Sequence, residues 1–91
     1  MFEIDFSLQY KHERKLLIKR GYDTSKLDKA ISLLASGEPM PPSYKDHPLK
    51  GKYYGHRECH VAPNWLLIYK KDNNHLILLL TATGTHSDLF E

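Results

Sequence analysis

Residues 53–81 read YYGHRECHVAPNWLLIYKKDNNHLILLLT, and the spacing of apolar runs and turn residues in this stretch decides the fold. Residues 53–61 are expected to form one strand and residues 65–70 the next. Asp72-Asn73-Asn74 is turn chemistry for a hairpin. Residues 75–81 then make a third strand beside the second. Residues 66–69 and 76–80 are apolar at every position, as central strands covered on both faces tend to be. Thr83-Gly84-Thr85 is expected to break the third strand, leaving Asp88-Leu89-Phe90 as a short tail.

Working upstream, Phe2, Ile4, Phe6 and Leu8 alternate with polar residues. That pattern predicts a strand with one buried face. From Ser7 the period changes. Tyr10, Arg14, Leu17 and Lys19-Arg20 fit a helix with a narrow apolar stripe, ended by Gly21. Asp23 and Thr24 are good caps for a second helix. Leu27, Ala30, Ile31 and Leu34 fall on one face of it, and Gly37 sits where a left-handed cap belongs. Pro39, Pro41, Pro42 and Pro48 make residues 38–50 an extended loop, because proline lacks the amide proton and fixes φ. The expected architecture is therefore α+β: an N-terminal strand, a two-helix hairpin, then an antiparallel sheet, in one domain over residues 1–91. The helices must bury their apolar faces on one side of the sheet, which leaves the other side for function.

The chain has 91 residues, 41% of them hydrophobic, which suits a folded protein. No apolar run approaches the roughly 18–20 residues of a membrane span. The first residues carry acids where a secretory signal would carry a basic region. Cys59 is the only cysteine, so no internal disulfide is possible. A cytoplasmic protein without a membrane partner is the expectation. Net charge is +2, but seven of the thirteen lysines and arginines lie between Lys11 and Lys29. Such a patch either attracts phosphate backbones or is a plain solvated helix face.

Six histidines in so short a chain are many. His47 precedes Pro48, His60 lies near Pro63, and His86 follows Gly84. Loop and strand-end positions of this kind are where site residues tend to lie. His12, His56 and His75 have no such setting and are expected at the surface. Imidazole can both take and give a proton near neutral pH. Cutting RNA needs that pair of roles: a base for the 2′-hydroxyl, an acid for the departing 5′-oxygen, and nearby positive charge for the transition state. A competing chemistry is a metal site, since His56, Glu58 and His60 would share one face of a strand. No HExxH or CxxC pattern accompanies them. Arg57, Cys59 and Val61 would face the other way, with Cys59 and Val61 in the core and Arg57 in a structural ion pair. Trp65 is either a core aromatic or a stacking surface for a base. Phe90 is either a weak core residue or a terminal ring folded back over a site.

Three segments carry a resemblance: Tyr44-Lys45-Asp46-His47-Pro48-Leu49-Lys50-Gly51, Arg57-Glu58-Cys59-His60-Val61-Ala62-Pro63-Asn64-Trp65, and Thr83-Gly84-Thr85-His86-Ser87-Asp88-Leu89-Phe90. In this order and at this spacing the chain resembles the YafQ branch of the RelE superfamily. The resemblance implies a RelE-like fold and a toxin of a type II toxin–antitoxin pair. It implies an endoribonuclease that enters the ribosomal A site and cleaves messenger RNA, with no metal and no other cofactor. It implies a cognate antitoxin, ribbon-helix-helix and DinJ- or RelB-like, whose disordered tail wraps the toxin. Operator DNA would be met only through that antitoxin. Carried over residue by residue, the catalytic set is His47, His60 and His86, with His86 as the acid and the base left open between the other two. The RNA-binding set is Lys45, Asn64, Trp65 and Phe90.

Two positions depart from the branch. Asn64 stands where an aspartate is common, and asparagine cannot carry a proton. Ala82 stands where an arginine is common, and Lys45, Lys50 or Arg57 would have to replace its charge. These departures keep an alternative open: a catalytically weak or inactive binding module that acts as an antitoxin-bound co-repressor.

Overall fold

Local sequence sets each element. In the computed structural model, which describes residues 1–90, the order is β1 (Glu3–Phe6), α1 (Leu8–Lys19), α2 (Thr24–Ser36), β2 (His47–Pro48), β3 (Arg57–Ala62), β4 (Trp65–Asp72), β5 (Ile77–Gly84) and α3 (His86–Phe90). Ser7 caps α1 by accepting from the Tyr10 amide at 2.9 Å. Asp23 caps α2 through the Ser25 amide at 3.0 Å. Gly37, at φ +82°, ends α2 in the left-handed conformation that glycine adopts without strain.

The five strands form one sheet in the order β1-β5-β4-β3-β2. The meander β3-β4-β5 is antiparallel, as expected, but β1 pairs parallel with β5, so the sheet is mixed. The helices cover one face. There Leu17, Leu27 and Leu34 meet Leu67, Leu78 and Leu80, all fully buried. Each such leucine contributes about 2 kcal/mol of transfer free energy. The opposite face carries a smaller core of Tyr53, Leu66, Ile68, Ala82 and Leu89. β4 is apolar at consecutive positions because it feeds both cores.

Four details differ from the sequence reading. First, the buried face expected for β1 is open: Ile4 is 38% and Phe6 45% exposed. The helical hairpin sits over the sheet centre and leaves this edge strand uncovered. Second, residues 38–50 are not all loop, since His47 and Pro48 pair with Glu58 and Arg57. Pro48 is tolerated because β2 is an edge. Third, Tyr53 lies in a 3-10 turn, so β3 begins only at Arg57. Fourth, β5 runs through Gly84 instead of breaking at Thr83. β1 ends opposite Leu80, and α1 supplies the missing partners. The Ser7 hydroxyl donates to the Thr81 carbonyl at 2.7 Å, and the Glu13 carboxylate accepts from the Thr83 amide at 3.0 Å.

Candidate functional site

His47, Glu58 and His60 share the outer face of the sheet. Alternation along β3 sends Glu58 and His60 outward, and the pairing of His47 with Glu58 brings β2 to them. The His47 and His60 rings are 6.4 Å apart between centroids. Nε2 of His47 lies 3.5 Å and Nε2 of His60 3.8 Å from the same oxygen, Oε1 of Glu58. The Glu58 side chain is 7% exposed. Nδ1 of His47 lies 2.7 Å from the Lys45 carbonyl. A carbonyl only accepts, so that geometry assigns the proton to Nδ1 and leaves Nε2 as the working nitrogen. Glu58 is the residue that spacing undervalued: it appeared there only as a member of a metal alternative.

An anchor on the opposite face holds β2 in place. Asp46 accepts from the Tyr69 hydroxyl at 2.7 Å and from Nε of Arg57 at 3.2 Å. Burial, then the Asp46 carboxylate, push the Tyr69 phenol up, so it remains a donor. Arg57 therefore forms the structural ion pair that alternation predicted, and its charge is not on the histidine face. Cys59 is fully buried, and burial first, then Asp46 and Glu58, push its thiol up to about 12.

His86 is positioned by a different device. Thr85 and Asp88 form a reciprocal capping box: the Thr85 amide donates to Asp88 at 2.9 Å and the Asp88 amide to the Thr85 hydroxyl at 3.1 Å. Residues 86–90 are thus a short helix, not an irregular tail. A Cβ on Gly84 would lie 3.0 Å from the Asp88 side chain, so a larger residue there requires Asp88 to shift. Arg20, which caps the end of α1, ties the assembly down through Asp88 at 2.9 Å. Register puts His60 opposite Leu66 and Leu66 opposite Gly84. At about 4.8 Å per strand, Gly84 lies roughly 10 Å from His60 across the sheet, and His86 follows two residues beyond it. The Phe90 ring packs on His86 at 5.0 Å and on Tyr53 at 5.8 Å. Phe90 therefore folds back toward the outer face, and Tyr53 is an aromatic neighbour the sequence reading did not single out.

The other expected residues divide. Lys45 takes a left-handed conformation, φ +49°, beside His47. Asn64 is exposed in the β3–β4 turn. Trp65 is a correction: it points to the helix face, 3% exposed, donates to the Thr83 hydroxyl at 3.0 Å and meets Tyr22 edge-on. No face of its ring is free for a base. His56, expected at the surface, is half-buried and packs against Tyr53. Among the described residues no group of three His, Cys, Asp or Glu side chains has metal-holding geometry. Ala82 is fully buried with Ile68 and Leu89 on the outer face, so apolar packing surrounds this position and no charge is present there.

Residues 2–91 match the family described as the bacterial toxin of type II toxin–antitoxin system, YafQ. The mRNA interferase toxin YafQ of Escherichia coli K12 is 44% identical over 89 residues, covering 97% of this chain and 95% of the relative. The crystal structure of the E. coli DinJ–YafQ complex contains a chain that superposes at TM-score 0.90 with 40% identity, all of both chains being covered. A metal-bound toxin from Helicobacter pylori superposes at TM-score 0.91 with 41% identity, over 99% of this chain and 100% of that one.

Proposed function

The chain belongs to the YafQ family of bacterial toxins of type II toxin–antitoxin systems, and we propose that it is a ribosome-dependent endoribonuclease that cleaves messenger RNA by histidine acid–base catalysis. The observation that carries this is the convergence of His47 and His60 on one buried carboxylate, on the sheet face the helices leave open. Nε2 of one of these rings removes the proton of a 2′-hydroxyl. The freed oxygen attacks the adjacent phosphorus, and the bond to the 5′-oxygen breaks. His86 gives that oxygen its proton. The products are a 2′,3′-cyclic phosphate and a 5′-hydroxyl. A proton taken up on Nε2 faces Glu58, which compensates the positive charge. Phe90, beside His86, offers a partly exposed ring to a base.

The proposed antitoxin contact rests on the open edge of the molecule. Ile4, Phe6 and Ile31 line an apolar groove of about 540 Å³, with Lys11, Arg14 and Lys15 and one acid, Asp28, also in its lining. The outer edge of β1 has no strand partner among the described residues. An acidic, partly apolar antitoxin segment fits both features by adding a strand and covering the groove. No helix among the described residues is long and apolar enough to cross a membrane.

Buried Ala82 supports the second reading, a module with weakened catalysis that serves as co-repressor. The two readings separate after a short pulse of expression. The first expects growth arrest and new message 5′ ends, both abolished by His86→Ala. Growth inhibition without cut messages would favour the second.

A further inference from the structure

A second cleft opens beside His60, on the side away from His86. The edge of β3 beyond Glu58 has no strand beside it, because β2 is only two residues long. The chain instead passes over this edge as a 3-10 turn, Pro42–Tyr44. Between that turn, α2 and the β3–β4 turn lies a cavity of about 620 Å³. Leu33, Tyr44, Pro63 and His60 are among the residues that line it. Lys29 from α2 and Lys45 line it as well, and no acidic side chain does. The size suits a nucleotide, and the lining combines apolar surface with two ammonium groups.

We propose that this cleft is a nucleotide subsite: it receives the RNA residue on one side of the scissile phosphate. The base lies against Tyr44 and Pro63, and the neighbouring phosphate lies between Lys29 and Lys45. The inference rests on the reading of the histidine face as a nuclease site, because His60 belongs to both. It adds two residues, Lys29 and Tyr44, that the sequence motifs do not assign. Their role is positioning and selection at one nucleotide; the proton transfers belong to the histidines.

The test uses the full chain and a five-residue oligoribonucleotide carrying 2′-O-methyl groups, which binds but cannot be cut. Fluorescence anisotropy compares wild type, Lys29→Glu and the remote control Lys19→Glu. The expected result is roughly tenfold weaker binding for Lys29→Glu, with a shallower salt dependence, and little change for Lys19→Glu. Tyr44→Leu, which keeps apolar volume in the wall, is expected to alter the base preference at a single position of mapped cleavage sites. Equal losses for Lys29→Glu and Lys19→Glu would reduce the effect to general charge and overturn the subsite. Cleavage by Lys29→Glu at the wild-type rate and sites, with wild-type oligonucleotide affinity, would also overturn it while leaving the nuclease reading intact. Failure of wild type to cut ribosome-bound messages would remove the nuclease reading and the subsite with it; failure to bind the oligonucleotide with message cleavage intact would overturn the subsite alone.

Discussion

Nε2 of His47 stands 3.5 Å from a carboxylate, that of Glu58, whose side chain is only 7% exposed. A buried charge of this kind is costly unless a partner answers it. Two imidazoles face it at 3.5 and 3.8 Å, and in this reading Glu58 positions the pair and balances a proton when one of them takes it up. Glu58→Gln is expected to lower message cleavage by about 10²-fold. Thermal stability should not fall, because the substitution removes a buried charge and keeps the shape. Glu58→Asp should restore part of the activity. Cleavage rates and melting curves of the three proteins check this together.

The Gly84–Asp88 approach gives a stability prediction. Gly84→Ala places a methyl group 3.0 Å from Asp88 Cβ and Oδ2. The capping box must shift, at a cost of about 1–2 kcal/mol. For a domain of this size the melting temperature should fall by roughly 5–15 °C. His86 moves with the box, so cleavage should fall as well.

Acid titration reads the same corner. The Thr85 amide first, then Arg20, hold the Asp88 carboxyl below its ordinary 3.8. A carboxyl lowered on folding adds stability that is full above its unfolded value and is lost as pH falls through the folded one. Asp88→Asn should therefore melt lower than wild type at neutral pH. The gap should close as pH falls below about 4. Melting curves from neutral to acid pH measure it.

The resemblance and the punctuation of the chain made much of this visible. Gly37, Asp23 and the Asp72-Asn73-Asn74 turn act locally, so their roles follow from neighbours in sequence. The three histidine segments were likewise legible, as motifs. Trp65 was not, because its two roles differ only in which sheet face it points to, and β4 is apolar on both. The β1 pattern misled for a related reason: alternation marks a face that can be buried, and nothing in Ile4 or Phe6 says that the hairpin stops short of them. Glu58 gains its meaning only from β2, a strand too short to leave a periodic signal.

Burial makes Cys59 chemically quiet. With its thiol pushed up to about 12, almost none is thiolate at neutral pH. A thiol reagent should label the native protein far more slowly than the unfolded one, and one label per chain should appear on denaturation. Fast labelling of native protein would place Cys59 at the surface.

The proposed function gives the basic edge two partners, antitoxin and ribosome, and separate variants distinguish them. Phe6→Glu puts a charge into the groove beside β1. It should weaken antitoxin binding by at least tenfold and leave cleavage unchanged, as read by titration with antitoxin. Lys11→Glu with Lys15→Glu should weaken ribosome binding, with the loss smaller at high salt. Ribosome binding equal to wild type at low salt would remove that face from the ribosomal contact.

The central claim is that imidazoles, acting on the RNA's own 2′-hydroxyl, break the chain. The most direct measurement is the chemistry of the fragment ends from a ribosome-bound message cut by the purified toxin, with and without a chelator. The account predicts a 2′,3′-cyclic phosphate upstream and a 5′-hydroxyl downstream, unaffected by the chelator and absent with His86→Ala. A 3′-hydroxyl with a 5′-phosphate, lost on chelation, would contradict it.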